Sequence, residues 1–232
     1  MPSGLRSIAF VAELIHAPVQ HDPRTLQRLH GELFTNVEAS YRDFRLVAGG
    51  AQLSNAMGGL PGTPVSCVNL LSDRVQIREE QTGISREDFE ARVGHLARSV
   101  LAVLPIKMFL AQQYAVRSVV NPQTASDARE FMLRTVFGFD EALLATFPAP
   151  PSLAGVRMAF PPAEGSGGIF NVRVESFSTD NRSLFLEVVG TFGQPVKTDG
   201  IDGLVERFDA TYDFLQERLV SFVAQFDLED RE

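Results

Sequence analysis

Three of the four histidines, His16, His21 and His30, lie close together in the chain, and Asp22 adds a carboxylate beside the second. Imidazole nitrogens and carboxylate oxygens are the groups that bind zinc and similar ions. The spacing argues against such a site, because no H-x-x-x-H pair sets two rings on one helical face, and histidines scattered around a helix start are commonly surface residues. His95 is expected in mid-helix, facing solvent or filling an interhelical gap. Cys67 is the only cysteine, which excludes an intramolecular disulfide and a cysteine-based zinc cage within one chain. It lies in the apolar run Val65-Ser66-Cys67-Val68 and reads as a small core residue. The glycine-rich piece Gly165-Ser166-Gly167-Gly168 falls between two predicted strands, where flexibility accounts for it. Neither G-x-x-x-x-G-K-[ST] nor G-x-G-x-x-G nor G-x-S-x-G occurs. A serine or cysteine nucleophile would need a histidine and a carboxylate brought to it by the fold, and paired carboxylates leave no mark in a sequence. No catalytic residue, metal ligand or cofactor is therefore assigned, and the reading leans away from an enzyme.

What remains is recognition by polar side chains on strands. Side chains alternate across a strand, so Phe170, Val172 and Val174 are expected inward, with Asn171, Arg173 and Glu175 outward. Arg74, Gln76, Arg78 and Glu80 oppose inward Val75 and Ile77. Asp43 and Arg45 form the outward set of another strand, and Gln113 and Arg117 share a side with or near Glu13. The candidate partner-binding residues are Arg45, Arg78, Gln113, Arg117, Asn171, Arg173 and Glu175. They are mixed in sign, which suits a protein or peptide better than phosphates. Reversing Arg117 or Arg173 to Glu is expected to leave the melting temperature nearly unchanged while weakening partner capture.

The elements that would carry these residues repeat in order. Leu5 to Ile15 reads as a strand ending before Pro18. Asp22-Pro23 opens a helix with Leu26, Leu29 and Leu33 on one face. Tyr41–Val47, Ala51–Met57, Val65–Leu71 and Arg74–Glu80 read as strands, with Gly58–Pro64 as a breaker cluster and Ser72-Asp73 as a hairpin turn. Ser85 and Asp88 resemble a capping box opening a helix that buries Phe89, Val93, Leu96 and Val100. A strand over Lys107–Asn121 then starts the order again: helix Ser126–Phe137 with a further turn or two in Phe139–Phe147, strands Val156–Phe160, Ile169–Ser178 and Ser183–Phe192, and a terminal helix Asp202–Phe226. The expected fold class is α+β, with internally duplicated β-α-β-β-(β)-α units forming one curved antiparallel sheet and helices packed on one face. Residues 1–105 would be the first unit, 106–226 the second, and 227–232 a frayed acidic tail. Such a repeated unit is similar to the saddle of the TATA-box-binding-protein fold, by analogy of architecture alone.

Composition supports an ordinary globular chain: 44% of the residues are apolar and 22% charged. Met1 to Arg6 lacks the pattern of a secretory signal, and no apolar stretch approaches the ~18 residues of a membrane span. A soluble cytoplasmic protein is expected. The net charge of −8 repels a phosphate backbone and disfavours nucleic acid.

Ala17-Pro18, Val75–Glu80, Phe89–Leu104, Tyr114–Asn121 and Phe208-Asp209 with the helix after them together resemble a sporadically distributed bacterial family of uncharacterised proteins. Where that family carries Arg-Tyr-x-Asn, this chain has Arg117-Ser118-Val119-Val120-Asn121. The resemblance implies no activity. The function expected is a non-enzymatic binding or assembly protein that recognises a protein partner, a second copy included, through an open sheet face or a sheet edge. The alternative is a small-molecule-binding protein or enzyme with a pocket between the sheet and the terminal helix.

Overall fold

A computed structural model describes residues 4–36, 39–58, 60, 62–162 and 167–228. Gly165, Ser166 and the tail beyond Leu228 lie outside the described residues. The architecture is α+β, with nine strands in one antiparallel open sheet ordered β2-β3-β4-β5-β1-β6-β9-β8-β7. In chain order these are β1 (Arg6–Ile15), β2 (Asp43–Val47), β3 (Gly50–Met57), β4 (Val65–Leu70), β5 (Arg74–Glu80), β6 (Ala111–Val120), β7 (Gly155–Phe160), β8 (Gly168–Ser176) and β9 (Leu184–Phe192). Helix α1 (Pro23–Phe34) follows β1, and α2 (Arg86–Val103) follows β5. After β6 come α3 (Ala128–Glu130), which runs on as a π-helical turn over Phe131–Val136, and α4 (Glu141–Leu144). The chain closes with α5 (Asp202–Asp213), a π-helical stretch Phe214–Leu219 and α6 (Val220–Ala224) in one helical run.

The helix starts follow their predicted caps. Asp22 accepts from the Thr25 N–H ahead of Pro23, and Ser85 accepts from the Asp88 N–H, each satisfying a donor that the first helical turn leaves open. The strand predicted from Lys107 begins only at Ala111. The segment before it is tied on by an isolated bridge, Phe109 to Val196, and by the Leu110 N–H, which donates to the Ile15 carbonyl at 2.6 Å. Helix Ser126–Phe137 is likewise shorter in α geometry than its apolar pattern suggests, because its second half widens into the π turn.

Within each half the first strand takes the inner position and the last strand of the following meander pairs with it: β5 on β1, β9 on β6. The two inner strands pair with each other. The halves differ in strand number and in the length of the first helix. Shared order is not descent, and internal duplication remains a proposal resting on that order.

One face of the sheet carries the helices. The rows Val68, Ile77, Ala12, Tyr114 and Leu70, Val75, Leu14 point to it, and they share one buried cluster with Leu29 of α1, Val93 of α2, Phe131 and Leu204. Phe208 of α5 is the aromatic centre, its ring 5.5 Å from Phe10, 5.0 Å from Phe89 and 6.0 Å from Tyr114. Gly190 lets α5 approach closely: a Cβ there would collide with the Thr211 hydroxyl and crowd Phe192. Among the described residues one charged group is buried on this side. Glu79 accepts from the Ser66 hydroxyl at 2.8 Å and pairs with Arg92 of α2.

Helices α2 and α5 are also clasped by charge. Arg86 donates to Glu90 at 2.8 Å, to Asp209 at 2.6 Å and to Asp213 at 3.0 Å, and lies over the Tyr212 ring. Desolvation, then a hydrogen bond with Asp209, pushes the Glu90 carboxyl up to about 7 against the opposing pull of Arg86.

Two outcomes follow from this packing. Phe208→Ala or Leu215→Ala should destabilise the protein by about 2–5 kcal/mol in urea unfolding, through lost burial and a residual cavity; a smaller loss at both would mean the terminal run is not docked. Glu90 holds a proton in the folded state to about pH 7, whereas the unfolded chain releases it near 4.5. The folded state binds more protons in that window, so this group's contribution to stability falls as pH rises through it. Glu90→Gln should flatten the change in urea midpoint between about pH 5 and about pH 8, and an unaltered slope would show that Glu90 does not set it.

Candidate functional site: the open sheet face

The face away from the helices is organised as three parallel rows fixed by strand register. The first runs Gln52, Asn69, Gln76, Glu13, Gln113, Thr191. The second runs Cys67, Arg78, Val11, Ala115, Val189, Asn171, Ala159. The third runs Glu80, Ala9, Arg117, Glu187, Arg173, Arg157.

The first row is a directed hydrogen-bond chain. Gln52 Nε2 donates to Asn69 Oδ1 at 2.8 Å, Asn69 Nδ2 to Gln76 Oε1 at 3.0 Å, and Gln76 Nε2 to Glu13 Oε1 at 2.6 Å. Arg74 donates to the other Glu13 oxygen at 3.2 Å. Ending on a carboxylate aligns the amide dipoles, and chains of this kind polarise one another. Beyond Glu13, Gln113 Nε2 donates to Thr191 Oγ1 at 3.2 Å.

The third row is ionic. Arg117 Nε donates to Glu187 at 2.6 Å, with Glu80 3.5 Å from its NH1. Arg78 donates to the same Glu80 at 2.8 Å. Arg173 lies 3.4 Å from Glu187 and 3.6 Å from Glu175. Between the ionic and amide rows, Val11, Ala115 and Val189 form a low apolar floor. The two walls are four residues apart along β1, roughly 13 Å, which admits one polypeptide segment. A depression of about 340 Å³ marks the centre of this trough, and two more, of about 440 and 470 Å³, adjoin it through Val189 and Glu187 on one side and Glu80 and Arg117 on the other.

Most of the residues singled out from sequence meet here. Arg78, Gln113, Arg117, Asn171, Arg173 and Glu175 line the trough or the depressions beside it or pair with residues that do. Arg45 does not join them: it stands exposed on the edge strand β2, with β3, β4 and β5 between it and the sheet centre. Alternation alone missed Glu187, which bridges two arginines but sits in the mostly apolar strand β9, and Arg157 on β7. Register with Arg117 would have found the first. Cys67 is buried, but its register with Arg78 puts it on this side of the sheet, apart from the helix-side core. Burial raises its thiol pKa.

The paired charges change one expectation. Arg117→Glu would set a third carboxylate against Glu80 and Glu187, so charge reversal there is not silent for stability.

The histidines lie elsewhere and serve the backbone. His16 Nδ1 donates to the Ala17 carbonyl and His21 Nε2 to the Leu71 carbonyl, both at 2.8 Å, while His30 Nε2 donates to Tyr41 at 2.9 Å. His95 reaches Asn36 at 3.3 Å, spanning α2 and the end of α1. Among the described residues no group of three or more His, Cys, Asp or Glu side chains is placed to hold a metal ion, and no helix is long and apolar enough to cross a membrane. No protein-family model matches the chain, and no curated protein matches it.

The Arg117–Glu187 contact should show a coupling of about 1 kcal/mol in a double-mutant cycle of Arg117→Gln and Glu187→Gln, shrinking as salt is raised. A coupling of zero at low salt would mean the row is not held together by charge.

Proposed function

We propose that this chain is a non-enzymatic cytoplasmic binding or assembly protein that holds a protein partner, a second copy included, against its open sheet face. The observation that carries the reading is the trough itself: an apolar floor of short side chains between a wall of amides and a wall of arginine–glutamate pairs. Amide and charged groups can satisfy a bound backbone, while the floor accepts small apolar side chains.

The edges are less suited. Prolines bracket β7, with Pro150 and Pro151 before it and Pro161 and Pro162 after it, and β2 displays Asp43 and Arg45. Both are devices that discourage strand addition. A pocket between the sheet and the terminal helix finds little support either, since Phe10, Phe89, Tyr114, Phe192 and Phe208 fill that interval with ring contacts of 5.0–6.2 Å. Nucleic acid is disfavoured by the acids interleaved with Arg78, Arg117 and Arg173.

A photo-crosslinking residue at Ala115, on the trough floor, should trap a partner in cells, whereas the same residue at Ser221, exposed on the helix layer, should not. The mass of the adduct tells a second copy of this chain from another protein. Equal trapping at both positions, or trapping at Ser221 alone, would remove the open face as the working surface.

A further inference from the structure

Arg157 and Arg173 stand directly opposite each other in the β7–β8 ladder. Like charges in opposed positions of a sheet repel, so the pair calls for compensation, and it is poorly supplied. Arg173 sits on the ring of Phe185, its guanidinium carbon 4.6 Å from the centroid. Its two acids stand off, Glu187 Oε1 at 3.4 Å from Nε and Glu175 Oε1 at 3.6 Å from NH1, neither in hydrogen-bond geometry. Arg157 is exposed, and among the described residues no acid pairs with it and no acceptor takes its protons. The contrast with neighbouring arginines is sharp: Arg78 and Arg117 donate to carboxylates at 2.8 and 2.6 Å.

Each guanidinium offers five N–H donors in a planar fork, and here two arginines in opposed register line one depression, with no carboxylate in hydrogen-bond geometry on either. The depression of about 440 Å³ beside them is lined by both arginines together with Glu187, Ala159, Asn171 and Val189. We infer that the Arg157–Arg173 pair is a carboxylate receptor and that the partner segment held by the open face is acidic, one Asp or Glu side chain bridging the two guanidinium groups. This rests on the open-face reading above. A bridging carboxylate can accept from both arginines and relieves the repulsion between them. A dianionic phosphate fits less well, because Glu187 and Glu175 already oppose Arg173 and leave Arg157 as the uncompensated positive charge, which one carboxylate balances.

The test is fluorescence anisotropy with labelled hexaglutamate, with hexaglutamine as the uncharged control and inorganic phosphate as competitor, at constant ionic strength. Hexaglutamate should bind saturably and hexaglutamine at least tenfold more weakly. Arg157→Gln, an exposed edge-strand change whose folding a urea melt checks, should weaken hexaglutamate about tenfold, the size expected for one charge-assisted contact. An affinity unchanged by Arg157→Gln, or phosphate displacing the peptide at lower concentration than unlabelled hexaglutamate does, would overturn the assignment. The two readings fail separately. Persistent adducts at Ala115 without hexaglutamate binding would sink the acidic segment and spare the face. Hexaglutamate binding that needs Arg157, with no adduct at Ala115, would do the reverse.

Discussion

The antiparallel ladder between β1 and β6 is the joint on which the rest of this molecule depends. It pairs Ile15 with Ala111 at one end and Arg6 with Val119 at the other, and it alone joins the strands of the two halves into one sheet. Every other strand is added outward from it. On one side of this ladder Phe10, Ala12, Leu14, Tyr114 and Val116 make the platform that the helices cover. On the other, Val11 and Ala115 make the trough floor. A slip of one residue would exchange these two sets, sending Glu13 and Arg117 into the aromatic core. The bulge between Ser7 and Ala9 takes up the one irregularity at the strand end, leaving the central register intact.

Much of this was legible in the chain because its physical signals are local. Asp22-Pro23 and Ser85 announce helix starts, Ser72-Asp73 a hairpin, and the alternation around Phe170, Val172 and Val174 the buried side of β8. Signals that depend on pairing were not. Glu187 belongs to the site only because β9 lies beside both β6 and β8, and nothing within Leu184–Phe192 reveals its neighbours. The same holds for Glu79, a charge that parity sends inward and that only Arg92 of a different element makes tolerable. Arg45 shows the converse failure: alternation set its side correctly but said nothing of its distance from the centre. The strand expected from Lys107 was over-extended because its apolar run continues past the point where a sheet neighbour is available.

Charge is spent differently on the two faces. On the helix side, Glu79 is buried against Arg92, and losing Arg92 would leave that carboxylate without its counter-charge in a poorly solvated place. On the open side, Arg78, Arg117 and Arg173 share Glu80, Glu187 and Glu175 in a chain that water reaches, where each contact is worth little alone. Weak contacts of this sort can open to admit a new partner at small cost, whereas the enclosed pair cannot. On the proposed reading, the face that holds a partner is the one whose ion pairs are the more solvated.

A bare sheet face also has to survive without a partner. Three of its larger apolar side chains, Ile8, Val119 and Phe185, are gathered at one end with Phe177, Phe185 under the guanidinium of Arg173, while Ile169 and Met57 stand exposed and apart from them. The trough floor between the rows is alanine and valine, too short to present a wide apolar patch. Arg173 thus has two roles that pull together: its stem and flat face cover Phe185, and this seating fixes the direction of its fork. Because the ring holds the guanidinium before anything binds, an incoming carboxylate need not order that side chain, and the entropy cost of binding falls on Arg157 and the segment itself.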